Sequence, residues 1–296
     1  MNLRKSCLPP GWYPQNPSKI NEFLGSFSHL PNSEQEKRIL AAVAPHAGWY
    51  YSGNIAAQAV SALSASPAET VAVIGGHLPE SMPALFAMED AVSTPLGNLE
   101  LDGILRNALV SSFRDIGFAS AEDRYQDNTV EVLLPMVTYF FPEAKLLWLR
   151  LPAQSASFEA GKILAKTAAS IQRNLVVLGS TDLTHYGVNY AFSPKGCGKD
   201  ALDWVKKVND RRFIDAVETG NPDAVLDRAG EERSSCSAGA VLGVMGFAEE
   251  TRRSQQAASN SAGKLLAYST SADVVMNEGE PVPDSFVGYG GFIWSM

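Results

Sequence analysis

Residues 44–53 read Ala44-Pro45-His46-Ala47-Gly48-Trp49-Tyr50-Tyr51-Ser52-Gly53. Before them lies an apolar run, Ile39 to Ala44, and after them a helix-like run, Asn54 to Leu63. Small apolar residues without polar alternation mark a strand buried on both faces. Pro45 ends that strand, because proline has no N–H to give to a central ladder. His46 is the residue delivered just past the strand end. Gly48 and Gly53 permit sharp turns, Ser52 or Asn54 can cap the helix, and Ala56, Ala57 and Ala59 let it pack close to a sheet. Open α/β sheets hold ligands at such strand-to-helix loops, which makes His46 the first functional candidate.

Outward from this stretch the pattern repeats. Toward the N-terminus, Pro10-Gly11-Trp12-Tyr13-Pro14 forms a turn, and Ser18 to Phe27 carries one apolar helical stripe. Toward the C-terminus, buried strands are expected at Thr70 to Gly75, Lys145 to Leu151 and Leu175 to Gly179. Late strands are expected near Leu265 to Ser269 and Phe286 to Trp294. Residues 83–101 read as an antiparallel excursion with a turn at Pro95-Leu96-Gly97. Helices are expected from Asp102 to Phe113, with Asp102 as cap, and over 157–172, 199–219 and 222–229. A further helix opens at Ser234-Ser235-Cys236 and runs to about Glu249, before a polar connection over 251–262. Strands alternating with helices predict an α/β fold, a mostly parallel central sheet flanked by helices, with residues 1–296 as a single domain.

The 296 residues, 45% apolar and 19% charged, suit a soluble globular chain with a substantial core. A net charge of −8 without any Lys/Arg-rich run argues against a nucleic-acid partner. Cys7, Cys197 and Cys236 are too few and scattered for a disulfide framework, which points to a reducing compartment. Arg4 and Lys5 are followed by Leu8-Pro9-Pro10 rather than an apolar signal segment, and no run approaches the length of a membrane span. The expected location is the cytoplasm.

Three of the four histidines, His46, His77 and His185, follow predicted strands, and a parallel sheet puts the carboxyl ends of its strands on one edge. Converging imidazoles suit a metal ion, although each taken singly reads more simply as a hydrogen-bonded loop or core histidine. His29 falls in a polar connection and reads as a surface residue. Cys236 at a helix start would favour the thiolate, the form that binds metals, and the rival reading is a small buried apolar residue. Cys197 and Cys7 lack a comparable setting and read as incidental. Asp182 shares a short loop with His185 and can orient the imidazole, bind a metal or cap a turn. Glu131, before an apolar run, has a helix-start role competing with a site role. Tyr50, Tyr51 and Tyr186 flank these residues as candidate pocket walls or as core. Gly196-Cys197-Gly198-Lys199-Asp200 lacks the upstream Gly and the Ser/Thr of a phosphate loop, and Gly288-Tyr289-Gly290-Gly291 has no helix after it.

Taken together, Pro10 to Pro14, Pro45 to Gly53, Ser180-Thr181-Asp182-Leu183-Thr184-His185-Tyr186-Gly187 and the closing glycine-rich strand resemble the Memo family, over nearly the whole chain. Bacterial members of that family are labelled AmmeMemoRadiSam system protein B. The resemblance implies a fold similar to class III extradiol ring-cleavage dioxygenases, which are non-haem iron enzymes. It also implies that His46, His77 and Cys236 are metal ligands and that His185 stands where those enzymes keep an acid/base histidine. A His-His-thiolate set is softer than two histidines and a carboxylate. It suits Fe(II) or copper, with zinc as a substitute. Asn128 stands where the family usually has a further histidine, Ser237 and Ala240 replace a glycine and a proline, and one residue rather than two separates Gly75 from His77. The expected function is a metal-dependent oxidoreductase acting on a small-molecule substrate. The alternative is a non-catalytic partner, or adaptor, of radical-SAM and AMMECR-like proteins.

Overall fold

The computed structural model describes residues 2–27, 38–257 and 260–296. His29 lies outside the described residues. In chain order the strands are β1 (Leu3–Arg4), β2 (Ile39–Ala44), β3 (Thr70–Gly75), β4 (Ala84–Phe86), β5 (Ala91–Thr94), β6 (Gly97–Glu100), β7 (Ser120–Glu122), β8 (Lys145–Arg150), β9 (Leu175–Ser180), β10 (His185–Gly187), β11 (Lys264–Thr270) and β12 (Ser285–Ser295). The α-helices are α1 (Pro17–Gly25), α2 (Trp49–Ser64), α3 (Gly103–Asp115), α4 (Asn128–Glu131), α5 (Leu134–Phe140), α6 (Ala156–Ser170), α7 (Lys199–Trp204), α8 (Asp210–Glu218), α9 (Pro222–Glu231), α10 (Ala238–Ser254) and α11 (Ser271–Asn277).

The main sheet has the order β10-β12-β2-β9-β3-β8-β4-β7, with β11 also paired to β12. Its centre, β2-β9-β3-β8, is parallel throughout, while β12 joins β2 and β4 joins β8 in antiparallel pairing. The sheet is therefore parallel at its core and mixed at both flanks. A small second sheet joins β1, β5 and β6, and β5–β6 is the hairpin expected around Pro95-Leu96-Gly97.

Side chains of the central strands alternate between two cores. Ala72, Ile74, Leu147, Leu149 and Val177 face α3, α6 and α10, whereas Val71, Val73, Leu146, Trp148 and Leu178 face α1, α2 and α5. This is why those strands read as unbroken apolar runs: neither face meets water. On the first side α6 and α10 touch backbone to backbone. A Cβ on Gly161 would stand 2.0 Å from the Gly243 carbonyl oxygen, and one on Gly246 would stand 1.9 Å from that of Phe158.

Three local expectations change. α2 begins at Trp49 with Gly48 as its cap, because the Trp12 carbonyl accepts from Trp49 N at 2.8 Å and satisfies a first-turn donor. Ser52 and Gly53 are thus inside the helix, and Ser52 Oγ donates to the Ala47 carbonyl instead of capping. The stretch 199–219 is broken by a π-helical turn at Val205–Asn209. That wider turn lets Asn209 and Asp210 both reach Thr184, on the loop before His185. α10 starts at Ala238, two residues after Cys236. Among the described residues no helix is long and apolar enough to cross a membrane.

Candidate metal centre

The carboxyl ends of β2, β3 and β9 lie side by side and deliver His46, His77 and the Asp182–His185 loop to one edge of the sheet. Cys236 comes from the connection before α10, with its N–H donating to the Asp182 carbonyl at 3.2 Å. His46 Nε2 lies 3.2 Å from His77 Nε2 and 3.2 Å from Cys236 Sγ. The donor atoms of these three residues all fall within 4.8 Å of one another. Metal–nitrogen and metal–sulfur bonds of about 2.0–2.3 Å bring neighbouring donors to roughly such separations, so the three side chains fit a single ion.

Each imidazole is turned by a partner on its other nitrogen. His46 Nδ1 meets Ser180 Oγ at 2.8 Å, and its backbone N–H donates to Asp182 Oδ1 at 2.8 Å. His77 Nδ1 meets Asp127 Oδ2 at 3.2 Å, the pairing that leaves Nε2 free to ligate. Asp182 Oδ2 stands 3.8 Å from Nε2 of both His46 and His185. His185 Nε2 is buried and makes no direct hydrogen bond, with the Asp182 carboxylate as its ion-pair neighbour. His185 also packs edge-on against Tyr190, ring centres 4.8 Å apart.

The electrostatics favour a cation. Burial opposes ionisation of Cys236, but His46 foremost, then His185 and His77, pull the thiol well below its ordinary range. Burial likewise opposes charge on the imidazoles. At His77, Asp127 and the Cys236 sulfur outweigh it and carry the pKa up to about 10. At His185, Asp182 and the same sulfur do so, again to about 10. A thiolate ringed by imidazoles thus attracts positive charge, whether as protons or as a metal that displaces them. The low thiol pKa comes from these side chains and not from a helix start, since Cys236 precedes the cap of α10.

His46 and His77 line a cleft of about 670 Å³ whose walls also include Trp12, Tyr50, Tyr51, Asn128, Asp182, His185, Tyr190 and Tyr289. Tyr50 and Tyr51 stand at its mouth, and Tyr50 donates to Glu278 Oε2 at 2.5 Å. Asn128 Nδ2 donates to the His46 carbonyl at 2.9 Å, so it braces a ligand-bearing loop. Two expected wall residues lie elsewhere. Tyr186 is fully buried and stacks on Phe286, because adjacent residues of a strand point to opposite faces and His185 takes the cleft side. Glu131, at the end of the short α4, turns to the N-terminal segment, where it accepts from the N–H groups of Cys7 and Leu8, the Cys7 thiol and the Tyr13 hydroxyl. Cys7 is therefore part of a structural node, with burial foremost and then Glu131 raising its thiol to about 11. Asp127 and Tyr190 escape a reading by motif, and Ser180 and Tyr289 lie inside quoted motifs that do not single them out. The only available sign was their place beside strand ends or in the glycine-rich last strand.

The family description Memo-like protein matches residues 4–293. A MEMO1 family protein of Pyrococcus furiosus is 25% identical, covering 98% of this chain and 98% of its own. Another, from Methanosarcina mazei, is 27% identical over 99% of both chains. Among solved structures, an uncharacterized protein of Escherichia coli K12 aligns with a TM-score of 0.46 and 11% identity, covering 86% of this chain and 99% of its own. With a match that runs from β1 into β12, the chain belongs to the Memo family.

Proposed function

We propose that the protein is a metal-dependent oxidoreductase acting on a small-molecule substrate, with Fe(II) or copper held by His46, His77 and Cys236. The observation that carries this reading is the convergence of two imidazoles and a thiolate-prone cysteine on one point beneath an open cleft. Two nitrogens and one sulfur suit iron or copper, and zinc would fit the same donors without redox chemistry. When bound, the metal supplies a Lewis acid able to exchange electrons.

The chain's own residues have separable tasks. Ser180 and Asp127 fix the rotation of His46 and His77. Asp182 anchors the His46 backbone and stands 3.8 Å from His185 Nε2. His185, on the wall of the cleft, gives a proton to the substrate or takes one from it. Tyr51, Tyr190 and Trp12 supply aromatic wall to the cleft.

Protein purified without added metal, analysed for iron, copper and zinc beside Cys236→Ala, tests the reading. Metal in the parent and its loss from the variant are expected, together with oxygen consumption on at least one class of small substrate. A parent without metal affinity that still captures radical-SAM or AMMECR-like proteins would replace the enzyme with an adaptor.

A further inference from the structure

His77 adopts a left-handed backbone conformation, φ +56°, which is uncommon for a non-glycine residue. Its surroundings centre on Arg150, the last residue of β8, which is 3% exposed and paired in register with Gly75. All three guanidinium nitrogens are engaged. Nε donates to the Gly76 carbonyl at 3.0 Å, Nη1 lies 3.4 Å from Asp123 Oδ1, and Nη2 lies 3.1 Å from Asp127 Oδ2. The Asp127 oxygen that meets Arg150 is the one that meets His77 Nδ1.

The two peptides that precede His77 are pinned as well. Gly76 N donates to Thr129 Oγ1 at 3.2 Å, and His77 N donates to Ser237 Oγ at 3.3 Å, next to Cys236. A Cβ on Gly76 would stand 2.4 Å from the Ser237 Cβ, so the two ligand loops meet through a residue without a side chain.

We infer that Arg150 is a positioning residue of the metal centre: through the Gly76 carbonyl and the Asp127 carboxylate it sets both the backbone and the ring rotation of His77. The inference rests on the metal-site reading above and adds how one ligand is held. Only a planar fork can serve three acceptors in these directions. A lysine keeps the charge but not the geometry.

Cobalt(II) titration of the apo protein is the test, run on the parent and on Arg150→Lys, His77→Ala, the double variant and His46→Ala, with thermal unfolding recorded for each. Arg150→Lys should weaken cobalt binding about 10- to 100-fold, the range for partners that orient a ligating histidine. In the His77→Ala background the same change should alter affinity by less than about threefold, while its effect on thermal stability persists. A merely structural role would lower affinity equally in both backgrounds, and that result would overturn the inference. So would parent-like affinity in a folded Arg150→Lys. Should that variant not fold, Asp127→Asn cuts the same line one link closer to His77 and carries the same expectations. His46→Ala separates the two failures. If it binds cobalt as the parent does, the site reading falls and the inference with it. If it loses cobalt and Arg150→Lys does not, only the positioning role falls.

Discussion

His46 Nε2 and Cys236 Sγ lie 3.2 Å apart although 190 residues separate them in the chain. The contact exists because β2 ends beside β9, and the β9 loop carries Asp182, which binds the backbone of both partners. Asp182 N–H also donates to the sulfur at 3.3 Å, so one residue organises the two ligands and faces His185.

His185 is expected to move protons without holding the ion. His185→Ala should keep the metal stoichiometry of the parent and lower turnover of an identified substrate by about 10²–10⁴-fold. Elemental analysis beside steady-state kinetics checks both halves. Loss of metal as complete as in His46→Ala, with the fold intact by circular dichroism, would recast His185 as a ligand.

Glu131 should matter to the N-terminal segment rather than to the metal. Glu131→Ala leaves the N–H groups of Cys7 and Leu8 without their acceptor, and a lost charge-assisted bond costs about 1.5–3 kcal/mol. Hydrogen exchange should show faster opening at Cys7 and Leu8 with metal content unchanged. Unchanged protection there would contradict this role.

The backbone contact between α6 and α10 leaves no space at Gly246. Gly246→Ala must push the helices apart, and overpacking of this kind typically costs about 1–3 kcal/mol. Urea unfolding should show a lower midpoint at the same slope. Stabilisation, as expected from alanine's better helix propensity, would mean the helices can separate freely.

Asp210 makes stability depend on pH. It accepts from Thr184 N and from the Tyr268 hydroxyl, and burial dominates these bonds, raising its carboxyl from 3.8 to about 6. The folded state therefore holds a proton that the unfolded state has released. The resulting stabilisation, on the order of 3 kcal/mol, is complete below pH 3.8 and is lost as pH rises through about 6. Asp210→Asn should remove that component from the profile of unfolding free energy between pH 4 and 7. Identical slopes in parent and variant would contradict the assignment.

The strands that carry the site were legible because burial on both faces leaves a continuous apolar run, as at Ile39–Ala44 and Thr70–Gly75. The three strand-end histidines followed from the same pattern, since parallel strands align their carboxyl ends. What orients them was not legible. Ser180, Asp127 and Arg150 are ordinary polar residues whose bonds form only after distant segments meet, and nothing in their spacing sets them apart. Tyr186 misled because adjacency to His185 reads as proximity, whereas in β10 it means opposite faces. Glu131 misled because a helix of four residues, too short for a periodic signal, turned it toward Cys7.

X-ray absorption at the metal edge of protein reconstituted with Fe(II), compared with Cys236→Ala, tests the His46–His77–Cys236 site most directly. One sulfur neighbour is expected, at a distance near the ~2.3 Å of metal–thiolate bonds, beside nitrogen or oxygen neighbours at shorter range, with the sulfur missing from the variant. A parent spectrum with nitrogen and oxygen neighbours alone would contradict it.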